Sequence, residues 1–515
     1  GTTLTYNGII ADSGALTKAG AGTLILGGNN TYSGGTTINA GTLAISADAK
    51  LGTAPGSATA GQLVLNGGAL ETTASFTLNA NRGISLGSSG GTINTDSGTT
   101  LTYNGIIADS GALTKAGAGT LILGGNNTYS GGTTINAGTL AISAEGNLGA
   151  TPGTATVGYL SFNGGSLNAT ATLTLSANRG IALTSDATIT VASGSELTIS
   201  GIIAGSGALI KAGAGSATLL GANTYSGGTT MNAGRLFTGG DNYSRTAFGS
   251  GTITANSGTT LWTDRSTLSN ALVLNGATLQ GTNGFGENWN GSVTITGNVT
   301  FDVGSWMHIA NAITGTGTLI KVSNGNLVLH GNNTYSGGTT ISAGTLTIGN
   351  GSTTGAIAGD ITNNANLTFN RTSDYNFGGA ISGTGTVTQA GSNVLTLSGT
   401  NTYSGITTIS AGTLAISADA KLGTAPGSAT AGQLVLNGGA LETTASFTLN
   451  ANRGISLGSS GGTINTDSGT TLTYNGIIAD SGALTKAGAG TLILGGNNTY
   501  SGGTTINAGT LAISA

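Results

Sequence analysis

Short runs of alternating apolar and polar residues recur along the chain, as in TLTY, TLIL, TTIN, TLAIS, LVLN and FTLN. A period of two sends successive side chains to opposite faces, so these runs predict β-strands with one face turned inward. Gly, Asn, Asp and Ser fill the gaps, in GGNN, ADSG, NAG and NGG. Such residues tolerate positive φ and form tight corners. No long segment has helical periodicity, and no capping signal precedes one. Apolar triplets centre on Leu4, Leu24, Leu43, Leu63, Ile84 and Leu101, at steps of 20, 19, 20, 21 and 17 residues. The spacing predicts coils of about 19–20 residues, each holding two or three short strands.

A longer period lies over the shorter one. Gly1 to Ala47 recurs without change as Gly98 to Ala144 and as Gly469 to Ala515, and Ala40 to Ala144 recurs as Ala411 to Ala515. Residues 145–235 are a diverged copy. The motif NTYSG marks each unit, at Tyr32, Tyr129, Tyr225, Tyr335, Tyr403 and Tyr500. Stacked coils pair each strand with its equivalents about 4.8 Å above and below, with Leu, Ile, Val and Ala inside and Thr on the outer face. The expected fold is all-β: a parallel β-helix, or β-solenoid, forming an elongated rod of about 26 coils and on the order of 125 Å. Its regular repeats span 1–234 and 331–515, with divergent coils at 235–330, in one continuous solenoid. Pro55, Pro152 and Pro426 share one register and predict a surface excursion between coils, since proline has no place in a central strand. A propeller would need four-stranded antiparallel blades with a signature per blade.

Composition narrows the function. Charged residues are 6% of the chain and the net charge is −4, with no basic stripe, which argues against a nucleic-acid partner. Glycine contributes 96 residues without a three-residue period, which excludes collagen. The 37% hydrophobic content supports an ordered core rather than disorder. No cysteine is present, so disulfides and thiolate chemistry are excluded. No run of eighteen apolar residues could span a bilayer as a helix.

The segment Gly8 to Ile45 reads GIIADSGALTKAGAGTLILGGNNTYSGGTTINAGTLAI. It resembles the autotransporter-associated β-strand repeat of bacterial surface proteins. Six copies are present. Lys18, Lys115, Lys211, Lys321 and Lys486 hold the lysine position, and Gln389 replaces it once. The resemblance implies a right-handed β-helix passenger, exported and displayed at the bacterial cell surface or released outside it. It implies a shaft without catalytic residues, and membrane attachment only through parts outside this chain. The expected function is structural, the shaft of a surface appendage or filament. The alternative is an adhesin that binds a glycan or matrix through residues 235–330.

Candidate chemistry is sparse, and the chain reads as a non-enzyme with no cofactor and no metal. Glycoside hydrolysis needs two carboxylates across the bond. The five glutamates are Glu71, Glu145, Glu196, Glu287 and Glu442, of which Glu71 and Glu442 are repeat copies that read as turn residues. His308 and His330 are the two histidines; without HExxH or GxSxG, each reads as a strand side chain. One GGD, around Asp241, gives little basis for calcium. The lysine row reads as a solvated coil edge, and the tyrosines as a half-buried ladder.

Between Arg235 and His330 the repeats vanish and single-copy aromatics appear. Trp262, Trp289 and Trp306, with Arg245 and Arg265, form the candidate contact surface, because aromatics and arginine dominate interfaces. Phe237, Tyr243, Phe248 and Phe285 lie in the same stretch. The sequence opens and closes in mid-unit, and neither GTTLTYNG nor GTLAISA is an atypical polar cap. The expectation is further units on both sides, or self-association end to end or laterally through unpaired strand edges.

Overall fold

A computed structural model describes residues 1–238, 247–264, 267–281 and 286–514. The chain forms two compact units, Gly1–Leu261 and Trp262–Ala515. Both are parallel β-solenoids of short strands, with about 24 turns in all.

The hydrophobic alternation becomes a set of inward rows. In the first unit Leu4 pairs with Leu24, Leu24 with Leu43, Leu43 with Leu70 and Leu70 with Ile93. Leu43, Leu70 and Ile93 are fully buried; at the start of the row Leu24 is half-buried and Leu4 exposed. Each fully buried Leu or Ile contributes about 1.5–3 kcal/mol. Threonine, half-buried, occupies many of the outward positions, as in Thr92 beside Thr114 and Thr134.

The coils are less even than the sequence spacing suggests. Leu43 faces Leu70, a step of 27 residues, whereas Leu63 stacks on Thr36 and Ile84 in a different sheet. The extra length is the excursion after Ile45. It holds a 3₁₀ turn at Asp48–Leu51 and then the Pro55 loop, before the strand Thr59–Leu65. Longer coils of this kind reduce the number of turns below the expected 26. Glycine closes the tight corners where another residue would collide. At Gly138, φ is 64°, and a Cβ would run into the carbonyl oxygens of Gly119 and Gly117.

Where the winding is regular, each coil of the first unit gives one strand to each of three sheets. Phe76–Leu78, Arg82–Leu86 and Gly91–Thr95 begin a circuit that Thr100–Tyr103, Ile107–Ala108 and Leu113–Ala116 repeat one coil on. The 97-residue sequence period is not a whole number of coils. The TLTY strand Thr3–Tyr6 lies in one sheet, and its identical copy Thr100–Tyr103 lies in another. Each NTYSG repeat therefore begins on the sheet where the second strand of the preceding repeat lay. Thr23–Leu26 shares a sheet with Leu113–Ala116, and Thr120–Leu123 with Leu209–Ala212. In the second unit Asn326–Leu329 shares one with Thr386–Gln389, and Val394–Leu397 with Leu484–Ala487. Successive repeats are advanced by one face.

Candidate functional site

The three tryptophans occupy different environments. Trp289 ends the strand Glu287–Trp289; it is 1% exposed, and its indole N–H donates to the Asn270 carbonyl at 3.1 Å. A ligand outside the solenoid cannot reach it. Trp262 is half-buried on Thr260–Thr263. Trp306, which opens the strand Trp306–Ile309, is 39% exposed. Its indole lies over Gly286, where any Cβ would collide with the ring. Arg245 and Arg265, with Tyr243 and Phe285, lie outside the described residues.

The structure joins to Trp306 two residues that the sequence left separate. Alternation puts Trp306 and His308 on the same outer face, and their rings meet edge-on with centroids 4.8 Å apart. His308 faces Val328 in the ladder, and His330 lies two residues beyond Val328. The imidazole rings meet at a 4.7 Å centroid distance and 72°. His308 Nδ1 and His330 Nε2 are 2.6 Å apart and share a hydrogen bond. Asn350 Nδ2 lies 3.1 Å from His330 Nδ1. Burial lowers the pKa of both histidines, and the charge of His330 lowers that of His308 further. His308 is a strand side chain, as expected, and His330 directly follows the strand Asn326–Leu329; their meeting was not read from the sequence. The 22-residue separation, one coil, was the available signal.

The lysine row is not a solvated edge. Lys115 stands in the inward row between Ile93 and Ile135 and is fully buried. Its ammonium donates to the carbonyls of Ala116, Gly117 and Ala137 at 2.6, 2.7 and 3.1 Å. Lys18, Lys211, Lys321 and Lys486 repeat this cradle. Alternation is the reason: in LTK, the lysine shares the face of the leucine. Gln389, in the same position, donates to the Gly391 and Asn393 carbonyls at 2.9 and 3.1 Å. The tyrosines are likewise deeper than half-buried. Tyr129, Tyr225, Tyr335 and Tyr403 are fully buried, each hydroxyl bonded to a threonine four residues on.

Two further roles were not read from the sequence. Arg82, 2% exposed, reaches back 34 residues to the Asp48 carboxylate at 2.9 Å and donates to the Leu51 and Gly52 carbonyls. Arg179 with Glu145 and Arg453 with Asp419 do the same, so each arginine fastens an excursion to its own strand, one coil beyond the strand that follows the excursion. Glu71 is a strand residue rather than a turn residue. Burial raises its pKa first, and the neighbouring Asp96 charge adds to this. Beside the first excursion, a surface pocket of about 420 Å³ is lined by Ala60, Gly61, Gly83, Ser85, Ile106 and Asp109, and a smaller copy lies at Ala431–Asp480. Among the described residues no three His, Cys, Asp or Glu side chains gather as a metal site, and no helix is long and apolar enough to cross a membrane.

Comparison with known proteins matches the passenger-associated-transport-repeat at residues 16–45, 113–142, 209–236, 319–348, 387–416 and 484–513. These segments each contain one NTYSG motif. The chain is also 31% identical over 543 aligned positions to the adhesin BmaC autotransporter of Brucella suis biovar 1 (strain 1330). The alignment covers 99% of this chain and 13% of the length of that protein. No solved structure matches.

Proposed function

This chain is an autotransporter passenger-type β-solenoid built on passenger-associated transport repeats, and from that premise we propose that it is a segment of a surface adhesin. Its location is extracellular, at the cell surface. The similarity to an adhesin autotransporter supports the adhesive reading over a purely mechanical shaft. In this reading the repeats are the support, and the contact surface lies within the divergent coils at 235–330. The observation that carries it is Trp306, an exposed indole backed by His308 on the outer face of a stretch without repeats. An exposed aromatic edge of this kind suits stacking against a sugar ring or an apolar matrix side chain. Trp262 is part of the proposed surface; Arg245 and Arg265 lie outside the described residues. The proposed role is binding rather than catalysis.

The test is adhesion of the purified chain to immobilised matrix proteins, glycans and host cells. Trp306→Ala is expected to weaken adhesion at least tenfold while the circular dichroism melt stays unchanged. Undiminished adhesion, or contacts that map to the NTYSGG coils, would overturn the assignment of the surface.

A further inference from the structure

The His308–His330 pair has a geometry that a plain strand surface does not need. Two imidazole nitrogens on adjacent coils point at each other at 2.6 Å. One hydrogen must lie between them, because two bare lone pairs at that distance repel. Asn350 meets the far nitrogen of His330 and so fixes the ring. Asn288 stands one coil away in register with His308. Both rings are half-buried at one side and reach solvent at the other. A histidine whose second nitrogen is held by an amide or carboxylate is the usual form of an oriented metal ligand.

We propose that His308 Nδ1 and His330 Nε2 form a two-nitrogen site for a borderline transition-metal dication, Zn²⁺ or Cu²⁺. Imidazole suits these ions, at roughly 2.0–2.1 Å per bond. Two such bonds set the nitrogens about 2.9 Å apart at a right angle and about 3.3 Å apart at a tetrahedral one, so the rings separate by roughly 0.3–0.7 Å and turn to aim both lone pairs at the ion. The bridging hydrogen is displaced, and the ion sits beside the line between the two nitrogens. No proton leaves: the ring that carried the hydrogen on its facing nitrogen takes it up on its other nitrogen. For His330 that nitrogen is Nδ1, and the Asn350 amide turns its oxygen toward it to accept. Burial favours the neutral imidazoles that ligation requires. No third His, Cys, Asp or Glu joins the pair among the described residues. The remaining coordination positions therefore belong to water or to a group brought by a bound partner. The proposal does not rest on the adhesive reading.

The experiment is titration of the metal-free 515-residue chain with ZnCl₂ and CuSO₄ by calorimetry, with electron paramagnetic resonance of the copper form. One saturable site is expected, with coupling to two imidazole nitrogens. His308→Ala and His330→Ala should each weaken it at least tenfold. Asn350→Ala should weaken it less, and MgCl₂ should give no saturable heat. Circular dichroism melts confirm that each variant is folded. Absence of a saturable site, coupling to a single imidazole, or unchanged binding in the two histidine variants would each overturn the proposal. Adhesion measured with and without a chelator separates this site from the adhesive surface.

Discussion

The Asn127 side-chain oxygen accepts the backbone N–H of Ile107 at 2.8 Å, from the coil twenty residues before it. Its amide nitrogen donates to the Asn147 carbonyl at 2.6 Å, twenty residues after it. One side chain thus joins three successive coils at a corner where no strand ladder runs. Asn30, Asn223, Asn333 and Asn401 make the same two-way bridge. This explains why asparagine opens the NTYSG motif: the site needs an acceptor and a donor on one short side chain.

Asn127→Asp tests the bridge. The substitution keeps the acceptor for Ile107 but removes the donor and sets a carboxylate against the Asn147 carbonyl. We expect a loss of about 1–3 kcal/mol, the cost of an unmet buried polar group. Local hydrogen exchange at the Ile107 amide should quicken first. Unchanged protection there, with an unchanged melt, would show that the bridge contributes nothing.

The lysine cradle predicts a difference between two neutral substitutions. Lys115→Gln should be the better tolerated, because Gln389 at the equivalent position still donates to the carbonyl of Gly391, the counterpart of Gly117, and to that of Asn393. Lys115→Met leaves the Ala116, Gly117 and Ala137 carbonyls without their donor and should cost about 1–3 kcal/mol. Urea melts of the two variants decide the point, and equal midpoints would refute it.

Breaking the arginine clasp should be costlier. Arg82→Met removes the partner of Asp48 and the donor to two buried carbonyls, with an expected loss of about 3 kcal/mol or more. The readout is proteolysis, with cleavage expected in the excursion between Asp48 and Gly61. A variant as resistant as the parent chain would show that the excursion is held by its 3₁₀ turn alone.

The buried ionisable groups set the alkaline behaviour. Burial pushes the Lys115, Lys211 and Lys321 ammonium groups down to about 8, with Asp302 opposing the shift at Lys321. It raises the tyrosines, Tyr403 and Tyr474 to about 12. In the unfolded chain lysine titrates near 10.4 and tyrosine near 10, each about its usual value. As pH rises from about 8 to about 10, the folded lysines shed protons that the unfolded chain keeps, so stability rises. Above about pH 10 the unfolded tyrosines ionise while the folded ones do not, so stability falls. Urea melts from neutral to alkaline pH should show a maximum between about 9 and 10. A steady decline across that range would contradict the lysine assignment.

Much of the architecture was legible, because strand alternation and glycine corners are local signals. The coil length was misread at Leu63. A 3₁₀ turn and a proline loop lengthened one coil, and equal spacing then matched residues of different sheets. Lys115 was misplaced for the opposite reason. Its charge was weighed above its position, although LTK puts it on the leucine face, and three backbone carbonyls make its burial tolerable. The histidine pair needed the coil length itself, since contacts between coils join residues about twenty apart and leave no local pattern. Of the tryptophans, the sequence could not tell buried Trp289 from exposed Trp306, because both stand in alternating runs.

The one-face advance of successive repeats affects what duplication can do to this molecule. Copying a unit of 97 residues lengthens the stack without lengthening any single stripe of like groups. Within the first unit the corners around Tyr32, Tyr129 and Tyr225 point in three different compass directions. A flat neighbour pressed along one side of that unit meets one of these three corners and not the other two. Sequence identity between repeats usually invites tandem copies to adhere side by side in register. Here the winding spreads identical segments around the circumference, so a gene can expand by exact copying without building a self-adhesive strip.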